Sequence, residues 1–325
     1  MDVRIMVEIA ERLGVKAAWS ADGEELTLQA EELNGVELDR DLCTRVRASI
    51  LFAAPLLARC GEARMYPPGG DVIGRRRVDV HIEVLTALGA ESDIADNFHF
   101  TATNGLKGSD IFLPEASVTG TEQLLMAASR TPGRTVIRNA AQEPHVTDVI
   151  ELLTKMGAQI RGEGTSVVEV EGVSELHGAR HRISSDYTEV GSFLALAAAT
   201  EGTLTVTDIA PWHYRMITRQ FQQLGIGLEI ETDRITLQTD QPRKIAPDPT
   251  GGIPVIDDGP WPHFPSDLMS VMIVLASQTS GSVLFFEKMY ESRMYFIDRL
   301  IAMGAHAVIC DPHRAVVSGP ARLHS

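Results

Sequence analysis

The sequence predicts an α/β protein that is built from repeated units and divided into two domains. Five times, an amphipathic helix ends in a bulky residue, a glycine and a small or branched residue, and a strand pair follows. A second apolar helix, with its own glycine turn and exit strand, recurs at a similar spacing. Because two separate landmarks repeat together, coincidence is a poor explanation, and the pattern indicates a series of similar α/β units.

The first landmark is the glycine that ends the helix of each unit. Its positions are 75, 68, 68 and 79 residues apart, namely Gly14, Gly89, Gly157, Gly225 and Gly304. Glycine just past a helix commonly takes a positive φ, so each of these residues is predicted to stop its helix. In the third unit an apolar helical face is followed by residues 165–171, whose β-branched content is typical of a strand.

The second landmark lies in the other half of each unit. Apolar helices with a glycine turn and an exit strand are predicted over residues 47–63, 121–139, 190–208 and 267–286, with turns at Gly61, Gly133, Gly202 and Gly281. A single doubly wound sheet would instead require a nucleotide-binding glycine loop, and neither G-x-G-x-x-G nor G-x-x-x-x-G-K-[ST] occurs. Three hairpins precede residue 184 and two follow it, so we place one domain at residues 1–184 and a second at 185–325.

Composition excludes several classes of protein. The chain has 325 residues, with 29 Lys plus Arg against 44 Asp plus Glu, and its net charge of −15 argues against binding to nucleic acid or to an anionic membrane surface. No apolar run reaches the length of a membrane span, and the N-terminus lacks the pattern of a secretory signal. Cys43, Cys60 and Cys310 form no disulfide or metal pattern, so we expect a cytoplasmic protein.

Two segments in the first half of the chain are candidates for a functional site, one a charged loop and the other the start of a helix. Asp71 lies in a Gly/Pro-rich loop that Arg75, Arg76 and Arg77 follow, an arrangement that suits either a tuned proton donor or a plain turn with a solvated face. Residues 117–122 (SVTGTE) open a helix whose N-terminus suits a diphosphate, and the alternative is a plain N-cap by Thr119 or Thr121.

The second half of the chain repeats this arrangement. Asp267, at the start of the equivalent helix, is placed where a general base would be stabilised as the anion, although Ser266 or Asp267 could equally be a cap. Arg47 and Arg293 are single arginines in apolar stretches, and each requires an anionic partner, either a structural carboxylate or a substrate phosphate. The histidines show no metal-ligand spacing, so we predict no metal site.

At these residues the sequence resembles the enolpyruvyl transferases, most closely the branch whose acceptor is UDP-N-acetylglucosamine. The resemblance runs through the whole chain. Its most specific stretches are Arg47-Ala48-Ser49-Ile50, Pro68-Gly69-Gly70-Asp71-Val72-Ile73-Gly74 with Arg76, Val78-Asp79-Val80-His81, Ser117-Val118-Thr119-Gly120-Thr121-Glu122, Asn139-Ala140-Ala141 with Glu143-Pro144, Phe264-Pro265-Ser266-Asp267 and Tyr290-Glu291-Ser292-Arg293-Met294.

The resemblance implies a two-domain inside-out α/β barrel, with part of its first unit and most of its last unit absent from this chain. It also implies the reaction: the 3′-hydroxyl of UDP-N-acetylglucosamine attacks C2 of phosphoenolpyruvate, C3 is protonated, and phosphate is lost on the way to a peptidoglycan precursor. Phosphoenolpyruvate and a UDP-sugar are therefore the expected small-molecule partners, with no cofactor. The sequence leaves the oligomeric state open.

The resemblance also assigns roles to individual residues. Asp267 matches the base that removes the hydroxyl proton, and Asp71 stands where the family usually has a cysteine that serves in proton transfer. The opposite proton roles of these two carboxyl groups require environments that hold Asp71 protonated and Asp267 ionised. The remaining expected substrate-binding residues are Arg47, Arg76, Asp79, His81, Ser117, Val118, Thr119 and Arg293.

The chain departs from the family pattern in ways that bear on activity. Aspartate at position 71 removes the thiolate that fosfomycin alkylates, so we expect insensitivity to this antibiotic. Glu115 stands where a lysine commonly faces the nucleotide, and the family's Lys-Asn pair and final-unit Asp and Arg residues have no counterpart. The alternatives to UDP-N-acetylglucosamine chemistry are enolpyruvyl transfer to another uridine nucleotide in nucleoside-antibiotic synthesis, or a non-catalytic protein that binds a nucleotide sugar.

Overall fold

The computed structural model describes residues 2–70, 78–238 and 241–324. These residues form two compact units, and the chain passes from the first to the second between Arg182 and Ile183. Each unit has its own apolar core. The domain boundary expected after residue 184 stays a prediction, since compactness alone does not test which segments fold independently. Among the described residues, every helix is too short or too polar to cross a lipid bilayer.

The first unit contains six α-helices, nine strands and a 3-10 helix within its described residues. In chain order they are α1 (Asp2–Arg12), β1 (Lys16–Trp19), β2 (Leu26–Gln29), α2 (Arg40–Cys43), the 3-10 helix Arg47–Phe52, α3 (Ala53–Cys60), β3 (Glu62–Met65), α4 (Asp79–Ala87), β4 (Glu91–Ile94), β5 (Phe98–Thr101), β6 (Asp110–Phe112), α5 (Val118–Ala128), β7 (Arg134–Arg138), α6 (Pro144–Lys155), β8 (Gln159–Arg161) and β9 (Val167–Glu171). The strands form three sheets with the orders β1-β2, β3-β5-β4 and β6-β7-β9-β8.

The second unit contains four α-helices, seven strands and two 3-10 helices within its described residues. They are α7 (Tyr187–Ala199), β10 (Leu204–Thr207), the 3-10 helix Pro211–Tyr214, α8 (Arg215–Gln223), β11 (Leu228–Ile230), β12 (Arg234–Leu237), β13 (Val255–Asp257), the 3-10 helix Ser266–Leu268, α9 (Met269–Ser277), β14 (Gly281–Phe286), α10 (Ile297–Ala302), β15 (His306–Asp311) and β16 (Arg314–Gly319). Their sheets have the orders β10-β12-β11 and β13-β14-β16-β15.

The predicted repeats are confirmed by helix-hairpin pairs in both units. The helices α1, α4, α6, α8 and α10 each lead into an antiparallel hairpin. The glycine that ends each helix has a positive φ, between 73° for Gly225 and 102° for Gly157 and Gly304. Any other residue would be strained there, so the glycines stop the helices as predicted.

The second landmark holds at three of its four positions. Gly61, Gly133 and Gly281 have positive φ, whereas at the third position the left-handed residue is Glu201 with φ 60°, and Gly202 follows it. The turn after α7 is thus made one residue earlier than predicted. A non-glycine residue in this region carries a modest steric cost.

The two four-stranded sheets are built alike. In one, β6 runs parallel to β7 with α5 as the crossover, and in the other β13 runs parallel to β14 with the Ser266–Leu268 turn and α9 as the crossover. Both crossover helices are largely buried. The five sheets are open at their edges in the described parts of the chain, and the inside-out barrel stays a prediction.

Candidate functional site

The predicted site residues fall into two groups, one in each unit. Asp71 and Arg76 lie outside the described residues. The first unit holds Arg47, Asp79, His81, Ser117, Val118 and Thr119, and the second unit holds Asp267 and Arg293. Each group is described by itself below.

In the first unit, all of the group except Arg47 lies near the N-termini of two packed helices, and Arg47 begins the 3-10 helix that contacts α5. Asp79 is the first residue of α4, and Ser117 is the N-cap of α5, against which α4 packs. The Ser117 hydroxyl oxygen accepts a hydrogen bond from the backbone N–H of Gly120 at 3.1 Å. The expected cap by Thr119 or Thr121 is therefore wrong, because the helix begins one turn earlier than assumed and Thr121 Oγ1 instead donates to the Ser117 carbonyl at 2.8 Å.

His81 joins these two helices from the first turn of α4. Its Nδ1 lies 2.5 Å from Gln123 Oε1 and its Nε2 lies 3.1 Å from Thr119 Oγ1. An amide oxygen only accepts, so Nδ1 carries the proton, and the Thr119 hydroxyl donates to Nε2. Both ring nitrogens are thus engaged within the protein, and the ring is 3% exposed.

Burial keeps His81 uncharged. Loss of solvation lowers its pKa to about 4, helped by the positive charge of Arg47 and opposed by the hydrogen bond to Gln123. At neutral pH the ring is a neutral link between α4 and α5 and contributes no charge to the site.

Sequence reasoning missed a buried acid on α5. Glu122 is 8% exposed, and burial, with the neighbouring charge of Glu143, raises its pKa to about 7. The available signal was an acidic residue two positions before the apolar run that begins at Leu124. The sequence analysis included Glu122 only as the last residue of the SVTGTE segment and gave it no role of its own.

In the second unit, Asp267 and Arg293 form an ion pair. Arg293 donates from an NH2 group to Asp267 Oδ1 at 2.8 Å, and its guanidinium lies 5.0 Å from the centre of the Tyr290 ring. The Asp267 side chain is 69% exposed, while that of Arg293 is 14% exposed. The expectation that Arg293 needs an anionic partner is confirmed, and in this structure the partner is the carboxylate of Asp267.

The second carboxylate beside Arg293 is Glu287, which sequence reasoning also missed. It is fully buried, with Oε2 at 3.8 Å from Arg293 Nε. Ser266 donates its hydroxyl proton to this carboxyl group, at 2.9 Å from Oε2 and 3.0 Å from Oε1. Ser266 is therefore not the helix cap that the sequence suggested, and Asp267 does not cap the helix either, because the N-cap position is Pro265 and no side chain bonds there.

One further cluster has metal-ligand residue types. Asp148, Glu151 and His181 place ligand atoms within 4.8 Å of one another. However, Lys155 Nζ lies 3.0 Å from His181 Nδ1 and 3.6 Å from a Glu151 oxygen. Lysine only donates, so His181 Nδ1 accepts and Nε2 carries the proton toward Asp148. The ammonium group already supplies the positive charge, and the cluster is a structural network that includes no residue of the predicted site.

The two groups differ in their chemistry. The second unit presents an accessible carboxylate that is held by a fixed guanidinium, which is what proton removal beside a bound anion requires. The first unit presents the N-termini of α4 and α5, and a helix N-terminus suits phosphate.

Comparisons with known proteins agree on one family. The family model described as EPSP synthase (3-phosphoshikimate 1-carboxyvinyltransferase) matches residues 1–325. Two similar curated relatives are named UDP-N-acetylglucosamine 1-carboxyvinyltransferase. The one from Treponema denticola is 50% identical over 323 residues, which cover 99% of this chain and 75% of the relative. The one from Bradyrhizobium diazoefficiens is 48% identical over 322 residues, which cover 99% and 74%.

Solved structures share the fold. The enolpyruvyl transferase NikO from Streptomyces tendae matches with a TM-score of 0.82 at 20% identity, over 99% of this chain and 74% of that one. An EPSP synthase from Acinetobacter baumannii matches with a TM-score of 0.69 at 16% identity, over 98% and 74%. At these identities the likeness concerns the fold.

Proposed function

Since the chain belongs to the EPSP synthase family, with a match over residues 1–325, we propose that it transfers the enolpyruvyl group of phosphoenolpyruvate to the 3′-hydroxyl of UDP-N-acetylglucosamine. The names of the relatives that are 50% and 48% identical support this acceptor. The product is a precursor of peptidoglycan, and inorganic phosphate is released.

The observation that carries the mechanism is the contact between Asp267 and Arg293. Asp267 is exposed enough to reach a substrate hydroxyl, and the 2.8 Å hydrogen bond from Arg293 fixes the orientation of its carboxylate. In the proposed reaction Asp267 removes the hydroxyl proton, while Arg293 presents positive charge to an anionic group of the substrates. A general base of this kind contributes about 10²- to 10⁴-fold to the rate.

The remaining predicted residues complete the proposal. The α5 N-terminus at Ser117, Val118 and Thr119 would bind the diphosphate through backbone N–H groups, together with Asp79 on the nucleotide-sugar side. His81 would act indirectly, because both of its nitrogens bond within the protein. Arg47 and Arg76 are the proposed further anion-binding arginines.

The proposed reaction balances as an addition followed by an elimination. The sugar oxygen bonds to C2 of phosphoenolpyruvate as its proton passes to Asp267, and C3 receives a proton from Asp71. The tetrahedral adduct then loses a proton from C3 together with phosphate from C2, which restores the double bond. Asp71 donates as the neutral acid and returns to that state when it takes the C3 proton back.

The alternative acceptors receive less support. The relatives that are 50% and 48% identical to this chain are both named for UDP-N-acetylglucosamine. UDP-N-acetylglucosamine is therefore the proposed acceptor, and other uridine nucleotides are the comparison in its test. The cytoplasm is the proposed location, supported by the three free thiols of Cys43, Cys60 and Cys310.

The test measures phosphate release and product mass together. Purified protein is incubated with phosphoenolpyruvate and either UDP-N-acetylglucosamine or UDP, and the expected product is the sugar nucleotide plus one enolpyruvyl group. Asp267→Ala should lower kcat by about 10²- to 10⁴-fold. Asp298→Asn, a change of an exposed acid on α10, is the matched control. Equal rates for wild type and Asp267→Ala would exclude Asp267 as the base.

A further inference from the structure

Two carboxyl groups are buried together behind Arg293. Asp258 directly follows β13 and Glu287 directly follows β14, and these strands are parallel neighbours in which Asp257 pairs with Phe286. The register therefore places the next residues, Asp258 and Glu287, side by side. Both residues are 0% exposed.

Glu287 connects the segment that carries Asp267 to the turn that leads to Arg293. Its carboxyl group accepts the hydroxyl of Ser266, the residue before Asp267. The same group accepts the backbone N–H groups of Met289 and Tyr290 at 3.0 Å each. Tyr290 in turn places its ring under the Arg293 guanidinium. One buried side chain thus holds both partners of the ion pair.

One carboxyl oxygen of Asp258 has no hydrogen-bond donor among the described residues, and a protonated Glu287 can supply one. Asp258 Oδ1 accepts from the backbone N–H of Lys288 at 2.6 Å, whereas Oδ2 is buried and no donor group of the described residues reaches it. The strand register puts the Glu287 carboxyl group next to Asp258, and a hydrogen bond between the two side chains is one of the causes that raise the pKa of Glu287. A proton on Glu287 therefore satisfies the second Asp258 oxygen and avoids two adjacent buried negative charges.

We propose that Asp258 and Glu287 share one proton and act as a positioning pair, which holds Asp267 and Arg293 in their working arrangement. The catalytic value of that arrangement rests on the function proposed above, whereas the shared proton does not. Asp258 and Glu287 themselves are not expected to touch substrate.

The electrostatic surroundings favour the protonated pair. Burial, and then the hydrogen bond to Asp258 and its charge, raise the pKa of Glu287 to about 7. The charged and titratable residues that contact the pair are Lys288, Arg293 and His313, while Asp257 precedes Asp258 and Asp267 follows the bonded Ser266. Lys288 Nζ binds Asp257, and His313 Nδ1 donates to the Glu287 backbone carbonyl at 2.8 Å. Among the described residues this leaves Arg293 Nε, at 3.8 Å, as the nearest cation to the Glu287 carboxyl group.

The raised pKa of Glu287 makes the stability of the folded protein depend on pH. A carboxyl group with a raised pKa in the folded state favours folding at low pH, and this contribution is lost as pH rises from about 4.5 to about 7. Above that range Glu287 loses its proton, so Asp258 loses its donor and a buried negative charge stands beside the Asp258 carboxyl group, which destabilises the fold.

Three variants separate the pair from its surroundings. Glu287→Gln keeps the shape and a donor for Asp258 but does not titrate. Glu287→Ala removes the hydrogen bonds to Ser266, Met289 and Tyr290. Asp298→Asn, on the surface of α10, is the control that changes net charge without touching the pair.

The first arm uses thermal unfolding and the NMR signal of the Arg293 Nε–H group, both measured from pH 5 to 8. We expect the Arg293 Nε–H signal of the wild type to shift near pH 7. We also expect the thermal unfolding midpoint of the wild type to fall more with rising pH than that of Glu287→Gln. Asp298→Asn should behave as the wild type in both measurements. If Glu287→Gln and wild type have the same pH dependence in both measurements, the shared proton is refuted. This arm requires no enzymatic activity.

The second arm uses the phosphate-release assay. Glu287→Ala should lower kcat by about 100-fold with little change in KM for the sugar nucleotide, because misplacement of the base costs rate. Glu287→Gln should recover most of that loss. An Ala variant that keeps full kcat would overturn the positioning role. If wild type releases no phosphate, the proposed function fails, and the first arm still decides whether the pair shares a proton.

Discussion

Arg293 donates a hydrogen bond to Asp267 across 2.8 Å, and the guanidinium is the buried member of this pair while the carboxylate is the exposed one. The cation is thus fixed by the protein interior, through Glu287 and the Tyr290 ring, and the carboxylate extends from it toward solvent. The Asp267 carboxylate is therefore accessible, and the hydrogen bond from Arg293 fixes its orientation.

Replacement of Arg293 by lysine should weaken the arrangement while keeping the charge. A lysine ammonium cannot span Asp267, Glu287 and the Tyr290 ring as a planar guanidinium does. We expect Arg293→Lys to lower kcat/KM for phosphoenolpyruvate by about 10- to 100-fold, the value of one or two charged hydrogen bonds. Steady-state phosphate release measures this, with Arg299→Lys on the exposed side of α10 as the control. Unchanged kinetics would show that charge alone suffices.

The neutral ring of His81 predicts a loss of stability in acid. Its pKa of about 4 lies below the ordinary 6.5, so folding is opposed increasingly as pH falls from 6.5 toward 4. The full effect is about 3 kcal/mol in the free energy of unfolding. Urea unfolding at several pH values should show a flatter profile below pH 6.5 for His81→Gln. His306→Gln, an exposed histidine on β15, should follow wild type, and a steep profile in His81→Gln would contradict the assignment.

Ser117 is expected to stabilise α5 as its N-cap. Ser117→Ala removes the acceptor for the Gly120 N–H and should cost about 1 kcal/mol in unfolding free energy. Ser117→Asn keeps a capping oxygen and should cost much less, which makes it the matched control. Urea midpoints of the three proteins measure the difference. Equal midpoints for Ala and wild type would mean that the cap has no net value.

Asp71 predicts resistance to fosfomycin, because a carboxyl group replaces the thiolate that the antibiotic alkylates. Wild-type phosphate release should be unaffected by preincubation with the antibiotic. Asp71→Cys should become inactivated with time and gain the mass of one fosfomycin adduct in mass spectrometry. Covalent, time-dependent inactivation of the wild-type protein would contradict the prediction.

The repeats show which features of the helix ends can be predicted from neighbouring residues alone. Positive φ at Gly14, Gly89, Gly157, Gly225 and Gly304 could be predicted because glycine at a helix end has a local conformational reason. The exception at Glu201 arose because a turn after α7 can place its left-handed residue one position earlier without moving the exit strand. Local signals identify the turn more reliably than the residue that makes it.

Sequence motifs identified two residues of the second-unit site, whereas its buried carboxyl groups could be found only in the structure. Asp267 and Arg293 were singled out from one apolar segment and one helix start, and the structure brings them into contact. Glu287 and Asp258 were not singled out, because nothing in their neighbouring residues marks them as buried. Their burial depends on the parallel pairing of β13 with β14, which joins residues 29 positions apart.

The sequence by itself determined the repeated α/β units, the glycine helix stops and the residues that resemble an enolpyruvyl transferase site, since these depend on short-range spacing and residue type. Only the tertiary structure decided which helix residue caps α5, that His81 is a neutral link between two helices, and that Arg293 lies beside the buried Glu287. Those outcomes depend on burial, and burial is set by which distant segments pack together.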